Sequence, residues 1–223
     1  MWVRRTALRL PDAADPWHGT VACAKAVAQG EPFRLLLVGE STVAGVGVER
    51  QADALSGQLA VQLAVRLSRT VCWQACGRNG ATAAETLAAS LEMPDARWDA
   101  VVIVLGVNDT THLTPRWRWR RSIRELVRRF SCCSEQVLLT AVPPLGSFTA
   151  LPQPLRAWLG LRAGLLDRDL RTIAQAQAAV HVPFAAVFAP HMLARDGYHP
   201  SAEGYRAWAA GVADRVAPDG QDV

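Results

Sequence analysis

The stretch Phe33–Ser41, which reads FRLLLVGES, constrains the fold of this chain more than any other. Residues 35–38 are all apolar, a pattern typical of a strand that is buried on both faces of a parallel sheet. The run ends at Gly39, and Ser41 follows two residues later. Because open α/β sheets bind ligands at the carboxyl ends of their strands, Ser41 is a candidate nucleophile. The simpler alternative is that Ser41 only caps the turn that follows the strand.

The rest of the chain alternates between strand and helix patterns. Apolar runs predict further strands at 70–76, 100–105, 136–142 and 180–186, and periodic segments predict helices at 52–68, 83–91, 116–130, 157–179 and 202–216. This alternation favours a parallel sheet with helices on both faces. Residues 1–30 are expected to form an N-terminal arm and a short helix. With 223 residues and no linker pattern, the chain is expected to form one domain, 1–223.

The composition excludes several classes of protein. Hydrophobic residues make up 50% of the chain and charged residues 20%, which is typical of a globular protein. No apolar run reaches the roughly 18 residues that span a bilayer, and charged residues and proline interrupt the N-terminal segment, so we expect an unprocessed, cytoplasmic protein with no integral membrane segment. The net charge of +4 gives no indication of nucleic acid binding. The five cysteines lack zinc-site spacing, so no metal site is expected.

Each of the first three predicted strands ends in a turn that contains glycine and a polar side chain. These turns are Gly39-Glu40-Ser41, Asn79-Gly80 and Gly106-Val107-Asn108-Asp109, and parallel strands would bring them to one edge of the sheet. Near the C-terminus, Asp196 and His199 lie three residues apart. A turn between them would let Asp196 accept a hydrogen bond from Nδ1–H of His199 and leave Nε2 facing outward. A serine nucleophile requires this arrangement of its base.

These four segments, in this order, resemble the four sequence blocks of the SGNH hydrolase superfamily, also called GDSL-type esterases and lipases. The blocks run from residue 39 to residue 200 and so cover most of the chain. The resemblance implies a catalytic triad of Ser41, Asp196 and His199. It also implies an oxyanion hole formed by the backbone N–H groups of Ser41 and Gly80 and by the side-chain amide of Asn108.

The resemblance also implies a fold and an activity. The expected fold class is α/β: a three-layer α/β/α sandwich, flavodoxin-like, with a five-stranded parallel sheet. The expected activity is hydrolysis of small-molecule carboxylic esters through an acyl-enzyme, with no metal or organic cofactor. Two residues depart from the family pattern: Glu40 stands where Asp is usual, and Thr42 stands where Leu is commoner.

The sequence predicts the substrate less closely than it predicts the catalytic triad. The loop 143–155 contains three apolar residues, Leu145, Phe148 and Leu151, which predict a pocket for small to medium acyl chains. His112 follows the third block and is a further candidate for substrate contact. Thioesterase, lysophospholipase and carbohydrate acetylesterase activities, which use the same triad, remain alternatives.

Two other protein classes fit the sequence less well. The nucleophile turn of an α/β-hydrolase has the pattern Gly-x-Ser-x-Gly, but Val43 stands at the second glycine position. A non-catalytic nucleotide-binding module is suggested by Gly45-Val46-Gly47, which follows a strand. Arg50, however, stands where a dinucleotide-binding fingerprint has its third glycine.

The segment 115–130 is rich in arginine and tryptophan. At helical spacing, one side of it is apolar and the other side carries arginines: Arg116, Arg120, Arg124 and Arg128. This pattern favours a solvated helix that packs on the sheet. Weak contact of this helix with anionic lipid is the main alternative.

Overall fold

The computed structural model, which describes residues 10–23, 30–148, 151–184 and 189–217, is built around a sheet of six strands. The strands are β1 (His18–Val21), β2 (Phe33–Gly39), β3 (Val71–Gly77), β4 (Trp98–Val104), β5 (Ser134–Thr140) and β6 (Val180–Val182). Their order across the sheet is β1-β3-β2-β4-β5-β6, and neighbouring strands from β3 to β6 are parallel. The five parallel strands predicted from the sequence are therefore confirmed.

Six α-helices lie in the described ranges. They are α1 (Leu55–Arg66), α2 (Ala83–Leu91), α3 (Val107–Thr111), α4 (Arg116–Ser131), α5 (Leu155–Ala176) and α6 (Ala202–Val216). Short 3₁₀ helices occur at Gln51–Asp53, Leu145–Ser147 and Pro190–Met192. Five of the α-helices were predicted to within three residues at each end. Helix α3 was not predicted, because its five residues are too few to show a helical period in the sequence.

The prediction for residues 1–30 is wrong in part. Residues 18–21 form β1, which runs antiparallel along β3 with His18 opposite Gln74 and Val21 opposite Val71. The sheet is therefore mixed and has a sixth strand. This edge strand has four residues, which alternate between exposed and half-buried, so no apolar run marks it. Residues 1–9 and 24–29, which also belong to this predicted arm and helix, lie outside the described residues.

Helices cover both faces of the sheet and give the predicted three layers. Because successive side chains of a strand point to opposite faces, Leu35 and Leu37 of β2 pack on one layer, whereas Leu36 and Val38 pack on the other. Helices α1 and α6 form the first layer, and α2, α4 and α5 form the second. All four β2 side chains are almost completely buried, which explains the unbroken apolar run in the sequence.

The carboxyl ends of three strands meet at the edge where the sequence motifs were expected to converge. Gly39 of β2 pairs with Gly77 of β3 on one side and with Val104 of β4 on the other. A Cβ atom on Gly39 would collide with the carbonyl oxygen of Val104, so the chain can turn this close to β4 only with glycine at this position. Ser41 follows immediately from this turn.

Candidate active site

Ser41 and His199 lie 158 positions apart in the sequence and are hydrogen-bonding neighbours in the structure. His199 Nε2 lies 3.0 Å from Ser41 Oγ, and His199 Nδ1 lies 2.7 Å from Asp196 Oδ2. The imidazole therefore bridges the hydroxyl and the carboxylate. Nucleophilic catalysis by serine needs this connectivity, with a base that takes the proton and a carboxylate that orients the base.

The turn that carries Asp196 and His199 is held by the carboxylate itself. Asp196 Oδ1 accepts hydrogen bonds from the backbone N–H groups of Tyr198 and His199, both at 3.0 Å, while Oδ2 faces the imidazole. Burial by itself would raise the pKa of Asp196, but these three hydrogen bonds outweigh it and lower the pKa below its usual value. The side chain is therefore a carboxylate that accepts a hydrogen bond from the imidazole of His199.

Two backbone N–H groups are expected to form part of the oxyanion hole, those of Ser41 and Gly80. Glu40 O accepts hydrogen bonds from the N–H groups of Val43 and Ala44, which closes the turn after β2. Among the described residues, no acceptor pairs with the backbone N–H of Ser41 or of Gly80. The loop that carries Gly80 is brought to this edge because Arg78 N–H donates to Gly39 O at 3.1 Å. Both N–H groups are thus available to a ligand oxygen.

The amide of Asn108 is oriented by two acceptors. Its Nδ2 atom lies 2.6 Å from Glu40 Oε2 and 3.1 Å from the carbonyl oxygen of Ala81. The expected oxyanion donor therefore lies at the correct edge, but both of its N–H bonds are directed to protein acceptors. Two acceptors also fix which end of the amide carries the nitrogen.

Asp109, the last residue of the third block, connects α3 to the start of α2. It is fully buried, and its Oδ2 accepts a 2.8 Å hydrogen bond from the backbone N–H of Ala83, the first residue of α2. The start of α2 is further fixed by a capping box between Thr82 and Glu85. Asp109 therefore holds the helix that follows the Gly80 loop against α3.

A narrow apolar cavity of about 30 Å³ lies beside Ser41 and His199. Of the three loop residues expected to line an acyl pocket, only Phe148 lines this cavity. Leu145 is completely buried in the core, and Leu151 packs half-buried against the same core. His112 directly follows α3, has an exposed side chain and does not line the cavity.

Sequence reasoning missed several residues that shape this cavity. The ring centroid of Tyr198 lies 5.3 Å from those of both His199 and Phe148, so Tyr198 packs between the base and the loop. Phe184 and Trp208 also line the cavity, with ring centroids 5.3 Å apart. Tyr198 could have been found, because it lies between Asp196 and His199 in the fourth block.

Comparison with known proteins identifies the family of this chain. The sequence model of the GDSL-like Lipase/Acylhydrolase family matches residues 37–207. The chain belongs to this family. A GDSL-like esterase of Mycobacterium tuberculosis is 30% identical to this GDSL-like chain, and the match covers 78% of the chain and 59% of that protein. The chain thus spans less than two thirds of the length of this relative.

Solved structures share the GDSL-like fold at low sequence identity. The lipase/acylhydrolase from Enterococcus faecalis is 21% identical with a TM-score of 0.65, and the match covers 82% of this chain and 95% of that one. The acetylxylan esterase from Geobacillus stearothermophilus is 19% identical with a TM-score of 0.64, and the match covers 85% and 96% of the two chains. These similarities show the fold.

Two further observations concern membranes and metals. No helix in the described ranges has an apolar stretch long enough to cross a bilayer. In the same part of the chain, no three His, Cys, Asp or Glu side chains are grouped as metal ligands would be.

Proposed function

We propose that this protein is a serine hydrolase that cleaves carboxylic esters of small to medium acyl groups through an acyl-enzyme. The observation that carries the proposal is the pair of contacts that joins Ser41, His199 and Asp196, at 3.0 Å and 2.7 Å. Membership of the GDSL-like family supports the same reaction class.

In the proposed first step, Ser41 Oγ attacks the ester carbonyl carbon while His199 Nε2 takes its proton. Asp196 accepts the Nδ1–H hydrogen bond, which keeps the Nε2 lone pair directed at Ser41 and stabilises the imidazolium. The imidazolium then protonates the departing alkoxide, which leaves the acyl group on Ser41. A water molecule repeats the sequence on the acyl-enzyme, releases the acid and restores the serine.

The oxyanion of each tetrahedral intermediate needs hydrogen-bond donors, and three are proposed. The backbone N–H groups of Ser41 and Gly80 are free of protein acceptors among the described residues. Asn108 supplies the third by exchanging its longer contact, 3.1 Å to Ala81 O, for the oxyanion, because a charged acceptor forms the stronger hydrogen bond. Its shorter contact with Glu40 would keep the amide in place during this exchange.

The size of the cavity favours small acyl groups. About 30 Å³ accommodates one or two water molecules, so an acetyl group fits and a long chain requires rearrangement. Phe148 and Tyr198 form one wall of the cavity and are the residues whose size would set this limit.

The nucleotide-binding alternative is not supported by the contacts of its glycines. A Cβ on Gly45 would press against Ala13, and one on Gly47 would press against the carbonyl oxygen of Pro200. Between them, Val46 is fully buried, and its carbonyl oxygen accepts a 2.7 Å hydrogen bond from Tyr205. These glycines therefore serve close packing of the loop rather than approach to a phosphate.

Hydrolysis of p-nitrophenyl esters from acetate to palmitate tests the proposal. We expect kcat/KM to be highest for acetate or butyrate, and Ser41→Ala to lower kcat by roughly 10⁴-fold or more while the protein stays folded. Absence of hydrolysis by the folded wild type for every ester, or unchanged hydrolysis by Ser41→Ala, would overturn it.

A further inference from the structure

Exposed apolar side chains are concentrated on one surface of the second helical layer. Of nine large apolar side chains that are exposed in the described part of the chain, six lie between residues 113 and 165. We call this set the apolar patch: Leu113, Trp117, Leu155, Trp158, Leu161 and Leu165. Leu161 is 74% exposed and Trp117 is 63% exposed. Exposed apolar surface of this kind marks an interaction site when it is contiguous.

The part of the patch on α5 forms a stripe. Leu155, Trp158, Leu161 and Leu165 follow one another at steps of three or four residues, the spacing that puts side chains on one face of a helix. Leu159 and Leu166, on the neighbouring face, are buried against the sheet. The stripe therefore borders the core but faces solvent.

A hydrogen-bonded arginine joins the turn before α4 to this stripe. Arg162, one residue after Leu161, donates hydrogen bonds to the carbonyl oxygens of Thr110 and Thr114. These two residues flank Leu113 in the sequence. Leu113 therefore lies beside the middle of the α5 stripe.

An ion pair brings the first turn of α4 to the same helix. Arg116 Nε and Nη2 donate to the carboxylate of Asp169, at 2.9 and 2.7 Å. Asp169 lies one helical turn beyond Leu165, and Trp117 is the next residue after Arg116. The first turn of α4, which carries Trp117, thus lies beside the end of the α5 stripe.

The two long helices that carry most of the patch are strongly basic. Helices α4 and α5 together contain eleven arginines and three acidic residues, a net charge of +8, although the whole chain has a net charge of +4. The three acids are already paired: Asp169 with Arg116, Asp167 with Arg171 and Glu125 with Arg128. The rest of the chain has a net charge of −4.

We propose that the apolar patch docks this protein on the surface of an anionic lipid bilayer. Tryptophan and leucine would enter the interface, while Arg121 and Arg168, one helical turn beyond Trp117 and Leu165, would contact lipid phosphates. A second copy of the chain fits less well, because pairing two patches would place the arginines of both copies against each other.

The patch lies close to the candidate active site, because two elements connect them. Helix α3, which carries Asn108, ends two residues before Leu113, and the loop that carries Phe148 leads into α5. Docking would therefore hold the Ser41 edge of the sheet close to the lipid surface.

Vesicle sedimentation with the full chain tests this proposal. Vesicles of phosphatidylcholine with phosphatidylglycerol should bind the protein at low salt, pure phosphatidylcholine vesicles should bind it at least tenfold more weakly, and added salt should release it. Leu161→Ser should weaken binding about tenfold. The double substitution Arg121→Gln with Arg168→Gln should also weaken it, by about tenfold or more.

Val65 on α1 supplies the matched control. It is 72% exposed, almost as much as Leu161, but lies on the opposite helical layer, so Val65→Ser should leave binding unchanged. Equal binding to both kinds of vesicle, or equal loss in Val65→Ser and Leu161→Ser, would overturn the proposal. A dimer in sedimentation velocity that Leu161→Ser dissociates would overturn it too, because the patch would then be covered by a second copy.

Discussion

Glu40 Oε2 accepts a 2.6 Å hydrogen bond from Asn108 Nδ2, which joins the first sequence block to the third. The same carboxylate accepts hydrogen bonds from the backbone N–H groups of Val107, at 3.0 Å, and of Asn108, at 2.9 Å. Glu40 is only 3% exposed. The residue that departs from the family's usual Asp therefore braces the start of α3 and orients the amide beside Ser41.

The burial of Glu40 predicts a pH dependence of stability. Burial raises its pKa to about 7 from 4.5, although hydrogen bonds from Asn108 and Val107 oppose the rise. Because the folded state prefers the protonated carboxyl, the free energy of unfolding should fall by roughly 3 kcal/mol as pH rises from about 4.5 to about 7. Urea unfolding across this range should show that Glu40→Gln removes this part of the slope. An identical slope in both proteins would contradict the prediction.

Asn108→Ala should affect chemistry more than binding. Loss of one oxyanion donor typically lowers kcat by about 10²–10³-fold, and KM should change little because the donor acts on the charge that develops in the transition state. Steady-state kinetics on p-nitrophenyl acetate, with the unfolding midpoint as a control for folding, checks this. Near-normal kcat in a stable variant would show that Asn108 only braces the turn through Glu40.

Phe148→Ala should change the preference for acyl length. The substitution removes the ring that packs on Tyr198 and lines the cavity, so the ratio of kcat/KM for octanoate to that for acetate should rise by roughly tenfold. Leu151→Ala is the matched control, because Leu151 lies in the same loop and does not line the cavity. If the octanoate-to-acetate ratio of kcat/KM is the same in the two variants, Phe148 contributes only to packing and does not limit acyl length.

Asp196→Asn should inactivate the protein through the tautomer of His199. The backbone N–H groups of Tyr198 and His199 would retain the amide oxygen at the position of Oδ1, so the new NH₂ group would face Nδ1. Nδ1 would then accept a hydrogen bond, and the ring proton would move to Nε2, where it prevents uptake of the serine proton. We expect kcat to fall by roughly 10⁴-fold. A loss smaller than tenfold, measured on p-nitrophenyl acetate, would contradict this role.

The sequence predicted the centre of the fold because burial on two faces leaves an unambiguous pattern. The apolar run 35–38 and the spacing of the four blocks were sufficient to place Ser41, Gly80 and Asn108 at one edge of the sheet. Strand β1 was missed because an edge strand half-exposed to solvent needs no apolar run. Its pairing with β3 depends on tertiary contacts.

Side-chain direction in loops was the other limit of sequence analysis. Leu145, Phe148 and Leu151 are equally apolar, yet Leu145 is completely buried, Phe148 lines the cavity and Leu151 packs half-buried against the core. The role of Glu40 was missed for a similar reason. The sequence showed a longer acid but not the three N–H donors that its carboxylate reaches.

The central claim, that His199 activates Ser41 as a nucleophile, is tested most directly by mapping the site of a fluorophosphonate adduct. After reaction of the folded protein, peptide mass spectrometry should find the phosphonate on Ser41. Ser41→Ala should give no adduct, His199→Ala should react at least 10²-fold more slowly, and Ser147→Ala, which alters an exposed serine of the Phe148 loop, should react like the wild type. An adduct on another residue, or a folded wild type that stays unmodified, would contradict the account.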